Sequence, residues 1–174
     1  GDEIRLFYTD PQRRLPAPPL DTLPRKTLPC SNKPWRMRVL LSSYARVPMD
    51  SLFGDVDVFH ATDHLLPHLR RTRSVFTLYD LSFLTYPETH LSLNRWFLRL
   101  MIPLFLSRAG AVISISRHTK ADAVRYYGLA ESKIRVIPLG VDTRFHPLAD
   151  PQTLAAVRAR HNLPERFILS VGTI

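Results

Sequence analysis

Four polar clusters in this sequence each follow a short run of apolar, often β-branched residues. His60-Ala61-Thr62-Asp63-His64 follows residues 56–59, and Tyr79-Asp80-Leu81-Ser82 follows 75–78. Ser116-Arg117-His118 follows 111–115, and Leu139-Gly140-Val141-Asp142 follows 134–137. Such side chains offer donors and acceptors to a hydroxyl-rich ligand, a cation to an anionic one, and groups able to move a proton. If the apolar runs are strands of one parallel sheet, their carboxyl ends share a rim. Ligands bind at that rim in open α/β sheets. A rim built for packing alone would also be polar, so location by itself leaves both readings open.

Ser116 directly follows one of these runs and opens a helical pattern. Unpaired N–H groups at a helix start suit a phosphate or carboxylate; the plainer reading is a helix cap. His60, His64 and His68 recur every four residues, a spacing that on a helix would align metal ligands. Pro67 adjoins the third, and no Cys, Asp or Glu completes a helical set, so no metal site is expected. Asp55-Val56-Asp57 has the Asp-x-Asp form used to hold a metal on nucleotide-sugars. It leads into a strand, at the rim away from the crevice, and is set aside. The six glycines stand at 1, 54, 110, 128, 140 and 172, which leaves no Gly-x-Gly-x-x-Gly and no P-loop.

The elements that must position these clusters follow from hydrophobic periodicity. Runs at 4–8, 39–41, 56–59, 75–78, 111–115, 134–137 and 167–171 predict strands. Several are apolar at nearly every position, as strands buried on both faces of a parallel sheet are. The pattern predicts a helix over Ser92–Arg108, kinked at Pro103, and a shorter one over 152–161. Another spans Arg117–Tyr127, with Ser116 as N-cap and Gly128 just past its end. Strands alternating with helices predict a Rossmann-like, doubly wound α/β parallel sheet. Residues 11–34 hold seven of the 15 prolines and five basic residues. They read as a basic surface loop between two strands, in preference to a polyproline ligand.

Composition bounds the rest. A chain of 174 residues that is 45% hydrophobic can bury a real core, which excludes wholesale disorder. The formal net charge of +9 points to an anionic partner. Cys30 is the single cysteine, so an intrachain disulfide framework and a Cys-rich zinc module are excluded. Residues 1–30 carry no uninterrupted apolar stretch of the signal-peptide kind. The segment 91–106 is the most lipid-like, but Arg95, Arg99 and Pro103 make it a poor spanning helix. With Trp96, Phe97 and Leu100 among arginines, it could lie on a membrane surface or simply cover the sheet. No nucleic-acid-binding signature is present, and nucleic acid is not expected as a partner.

Several stretches taken together resemble the amino-terminal half of a family 4 glycosyltransferase of GT-B fold, of the mannosyltransferase-like type. They are residues 57–62, 76–84 with Pro87-Glu88, 111–116 with Thr119, the run Ile134 to Asp142, and the closing run 167–174. The order and spacing over 57–174 carry the resemblance; residues 1–56 add little to it. The resemblance implies residues 1–145 as an acceptor-side domain, 146–166 as a linker and 167–174 as the first strand of a donor domain. The chain is accordingly expected to be a fragment, inactive alone.

The implied reaction is retaining transfer of a hexose such as mannose or glucose. Its donor is a nucleoside-diphosphate sugar such as GDP-mannose or UDP-glucose, its acceptor a glycan or lipid-linked molecule, and no cofactor or metal is obligatory. Tyr79 and Asp80 are the implied catalytic pair, with His60, Thr62, Ser116 and Arg117 on the acceptor side. Gly140, Asp142, Gly172 and Thr173 fall on the donor side. Tyr79 stands where the family usually has His, and Arg117 where it often has Glu. A phenol with a pKa of about 10 still hydrogen-bonds but is a poor acid–base group near neutrality. That departure keeps a second reading alive, a non-catalytic Rossmann-like module with a basic docking surface. A cytoplasmic setting is expected, with peripheral contact at the inner membrane face.

Overall fold

Parallel pairing organises the first part of the chain. A computed structural model describes residues 2–171, and the chain divides after Pro138 into two units. In the first unit, four strands pair side by side in chain order: β3 (Val58–Ala61), β4 (Arg73–Leu78), β5 (Ala111–Ser114) and β6 (Ile134–Val136). Every pair is parallel, with Ala61 opposite Phe76, Leu78 opposite Ser114, and Ser114 opposite Val136. A second, two-stranded parallel sheet joins β1 (Leu6–Thr9) to β2 (Arg25–Leu28). The Rossmann-like parallel α/β class is as expected, its strands divided between two sheets. The unpaired edges of β1 and β3 face a common cavity of about 1290 Å³.

The helices cover the four-stranded sheet because their apolar residues fall on one side. In α4 (Ser92–Arg108), the residues Leu98, Met101, Ile102, Phe105 and Leu106 are buried, at the spacing of a single helical face. They pack with Phe76 of β4 and Val112 of β5, both almost fully buried. The helix continues on both sides of Pro103. The next crossover, α5 (Arg117–Tyr127), starts where the Ser116 hydroxyl accepts the Thr119 N–H and ends where Gly128 turns left-handed at φ 62°. Both helices have the bounds that the sequence predicts.

Elsewhere the structure corrects the sequence reading. Residues 39–41 are not a strand but lie inside α1 (Asn32–Ala45). Three consecutive apolar residues fit either period; Trp35, Val39 and Ser42, buried at helical spacing, settle it for the helix. The proline-rich stretch is more than a loop. It contains β2 and runs into the first turn of α1, where Pro34 needs no N–H partner. Two short helices, α2 (Asp50–Phe53) and α3 (Ser82–Thr85), complete the first unit.

In the second unit, Asp150 caps α6 (Pro151–Arg160) by accepting the N–H groups of Gln152 and Thr153. Residues 167–171 form no strand, and Ile168 is 99% exposed. Among the described residues this run meets no strand edge, and an unpaired apolar run has no ladder to join. The rest of the expected strand, 172–174, lies outside the described residues. None of the described helices is long and apolar enough to cross a membrane.

One carboxylate fixes the entry to β4. Asp50 accepts the backbone N–H groups of Arg70, Arg71 and Thr72, each at 2.9 Å. Burial alone would raise its pKa, but these N–H groups outweigh burial and hold the carboxyl at about 2, against 3.8 unperturbed. A depressed folded-state pKa contributes stability that is complete above the unfolded value and is lost as pH falls through the folded one. Replacing Asp50 with Ala is therefore expected to cost about 1–2 kcal/mol near neutrality. Denaturant titrations of both proteins should show that difference shrinking between roughly pH 4 and pH 2.

Candidate functional site

The carboxyl ends of β3, β4 and β5 bring six of the singled-out residues to one rim. His60 is not in the loop expected for it but is the third residue of β3. Its imidazole Nε2 lies 2.8 Å from the hydroxyl of Thr77 on the neighbouring strand. Thr62 follows β3 directly, and its carbonyl accepts the Tyr79 hydroxyl at 2.8 Å. That bond ties the end of β4 to the loop beyond β3. Tyr79 also accepts through its own carbonyl from the hydroxyl of buried Thr119 in α5, at 3.1 Å. A single residue therefore links the loop after β3, the end of β4 and the first turn of α5.

Ser116 carries out the capping role. Its hydroxyl accepts the Thr119 N–H at 3.0 Å and lies 2.9 Å from the Thr119 hydroxyl. Its carbonyl accepts from the buried Ser114 hydroxyl at 2.8 Å. Arg117 begins α5 and is exposed at the rim. Nearby, Asp63 bonds its neighbour His64, with Oδ1 2.5 Å from the imidazole Nδ1, and this contact holds the Asp63 carboxyl below its usual range. His60, His64 and His68 do not share a helical face, since the first lies in a strand and the others in the loop after it. Among the described residues no set of three His, Cys, Asp or Glu side chains is placed to hold a metal ion.

The structure adds a residue that the sequence did not single out. His90 lies just beyond the short 3-10 turn Pro87–Thr89, and its Nε2 is 2.9 Å from the Ser82 hydroxyl. Ser82 in turn donates to Asp80 Oδ1 at 2.5 Å, and the same oxygen accepts the Ser82 N–H at 2.8 Å. A carboxylate only accepts, so the Ser82 proton is committed to Asp80. The hydroxyl can then only accept from His90, which places the imidazole proton on Nε2 and leaves the Nδ1 lone pair free. Phe83 packs edge-on against the ring at 6.4 Å between centroids, fixing its plane. No periodicity connects Ser82 with His90, so nothing local in the sequence marks the pair.

The donor-side candidates are four. Gly140 and Asp142 belong to the second unit. A Cβ at Gly140 would meet nothing within 4 Å, so no close approach demands the glycine there. The Asp142 carboxylate accepts the Arg144 N–H at 2.8 Å and pairs with its guanidinium at 3.2 Å. These contacts with Arg144, the backbone bond first, hold it below the ordinary carboxylate range. Gly172 and Thr173 lie outside the described residues.

Two measurements check the rim. Removing the hydroxyl in Tyr79→Phe should lower stability by at most about 1 kcal/mol, since the bond is solvent-accessible, and should speed amide exchange in the loop after β3. Nitrogen-15 spectra of neutral His90 should show the Nε2–H tautomer, and Ser82→Ala should release that preference.

The phenol, carboxylate, imidazole and guanidinium groups of this rim are of the kinds that hydrogen-bond a hydroxyl-bearing ligand. Comparison with known proteins bears on what that ligand belongs to. The family model for Glycosyltransferase Family 4 matches residues 1–145. No match is found among the curated proteins. The match takes in both parallel sheets and the whole of the polar rim, and the chain accordingly belongs to glycosyltransferase family 4.

Proposed function

We propose that this rim supplies the acceptor side of a retaining glycosyl transfer. The sugar is a hexose such as mannose or glucose, delivered from a nucleoside-diphosphate sugar such as GDP-mannose or UDP-glucose. The acceptor is a glycan or a lipid-linked molecule, met by a cytoplasmic protein in peripheral contact with the inner membrane face. No metal or other cofactor is required in this reading. One observation carries it: Tyr79 and Asp80 follow β4 directly, and the neighbouring strands bring His60 and Thr62 on one side and Ser116 and Arg117 on the other.

Each group has a defined part. Asp80 is oriented by Ser82 and accepts from a substrate hydroxyl with its remaining lone pairs. Tyr79 donates to Thr62, so toward a ligand its phenol oxygen serves as an acceptor. His60, Thr62 and Ser116 shape the acceptor pocket, and the Arg117 cation suits an anionic acceptor. Gly140, Asp142, Gly172 and Thr173 contribute on the donor side. A departing diphosphate must be neutralised electrostatically, and that task falls to a nucleotide-sugar domain. The 174-residue chain by itself is then inactive.

The test uses the complete protein with GDP-mannose and UDP-glucose as alternative donors. Transfer with retained anomeric configuration is expected, and Tyr79→Ala should lower kcat/KM by roughly tenfold or more. Absence of transfer with any nucleotide-sugar would favour the non-catalytic module, a reading supported by the commitment of the Tyr79 hydroxyl to Thr62. Calorimetry on the 174-residue chain should detect weak donor binding or none; nanomolar affinity would contradict this division of labour.

A further inference from the structure

Two helices on one side of the sheet leave an apolar surface uncovered. Arg36 of α1 sits 3.6 Å from the ring centroid of Phe97 in α4 and donates to Asn94 at 2.9 Å. At the other end, the Arg108 guanidinium of α4 donates to the Ser43 carbonyl of α1 at 3.1 Å. The two helices thus run side by side in the same direction. Their inner faces enter the core through Trp35, Val39, Leu98 and Phe105. Their outer faces carry Met37, Leu41 and Tyr44 on α1, and Leu93, Trp96 and Leu100 on α4, each more than half exposed. The spacings 37, 41, 44 and 93, 96, 100 make each set a single stripe.

The charge on the same pair of helices bears on what partner suits this surface. Across the 14 residues of α1 and the 17 of α4 there are six cations, Lys33, Arg36, Arg38, Arg95, Arg99 and Arg108, and no acidic residue. Arg36 and Arg108 are spent on joining the helices, and Arg95 donates to the Pro87 carbonyl. Lys33, Arg38 and Arg99 are exposed beside the apolar stripes. A second copy of this basic chain would set like charges against one another across such a contact. Apolar residues including Trp, flanked by exposed cations on helices that carry no carboxylate of their own, match the boundary of an anionic bilayer, where rings and methyls enter the headgroup layer and guanidinium groups meet lipid phosphates.

We propose that the outer faces of α1 and α4 together form a peripheral docking surface for an anionic lipid bilayer. This deepens the membrane-contact part of the proposed function by naming the surface. The stripes of both helices enter the interface in parallel, and Lys33, Arg38 and Arg99 bind lipid phosphates at its margin. Each stripe is short, so neither helix alone provides the area that the pair provides.

The test is flotation of the full 174-residue chain with vesicles, without donor or acceptor, so that its failure leaves the transfer reading standing. Binding is expected to vesicles of phosphatidylcholine containing about a third phosphatidylglycerol, with little binding to phosphatidylcholine alone. Salt at about 0.5 M should weaken it. A Leu93→Ser, Trp96→Ser, Leu100→Ser triple variant should lose roughly tenfold or more in partitioning. Arg38→Glu with Arg99→Glu should lose at least as much and leaves the apolar residues untouched, so it remains decisive if the triple variant folds poorly. Fluorescence of Trp96 should be quenched by brominated lipid, whereas that of buried Trp35 should not. Failure of the unmodified chain to float with anionic vesicles would overturn the proposal, as would equal binding by the charge-reversed variant. A dimer in light scattering that the triple variant abolishes would assign the surface to a second copy and overturn it as well.

Discussion

Parallel strands can be joined only by a connection that leaves the sheet at one end and re-enters at the other. From β3 to β6 every pairing is of this kind, so all four strands point their carboxyl ends the same way. The constraint does two things at once. It brings the crossover helices α4 and α5 back along the sheet, where α4 can bury Leu98, Met101, Ile102, Phe105 and Leu106. It also delivers the residues that follow β3, β4 and β5 to a common rim, although the sequence spreads them from Thr62 to Arg117. Without parallel pairing, His60 and Ser116 would belong to unrelated parts of the surface.

The rim is held by hydrogen bonds that do not depend on a ligand. Tyr79 bonds toward the loop after β3 through its hydroxyl and toward α5 through its carbonyl. Asp80 is oriented by Ser82, which also fixes His90. A polar group that already has one well-placed partner loses little freedom when a second arrives, which is the physical content of preorganisation. A tyrosine at position 79 is therefore structurally consistent: the phenol reaches a carbonyl across the rim. His90 brings an imidazole to the same rim from a different segment, with its proton direction set by the Asp80–Ser82 pair.

Legibility differed by element for identifiable reasons. Helix α5 is readable to the residue because Ser116 and Gly128 are local start and stop signals that need no tertiary partner. The bounds of α4 followed from a long apolar stripe flanked by polar residues. The run 39–41 is helical although three apolar residues are compatible with either period, and the choice belongs to Trp35 and Val39 packing into the core. Strand β2 was hidden inside a proline-rich stretch: its residues Arg25-Lys26-Thr27-Leu28 have little strand character of their own and are ordered by the edge of β1. The run 167–171 has strong strand character and forms none, since a strand exists only where another edge completes its ladder.

The amino-acid sequence by itself determined the parallel α/β class, the two principal helices and the positions of the polar clusters after the apolar runs. These depend on periodicity, capping and turn chemistry, which act over a few residues. Tertiary structure alone decided that His60 lies within β3 and bonds Thr77, that Ser82 joins Asp80 to His90, and that α1 and α4 stand together with their apolar stripes outward. Each of those outcomes requires bringing together segments far apart in the chain or choosing one among several side-chain partners. Such choices are made by the packing of the whole sheet and its helices, and no local signal encodes them.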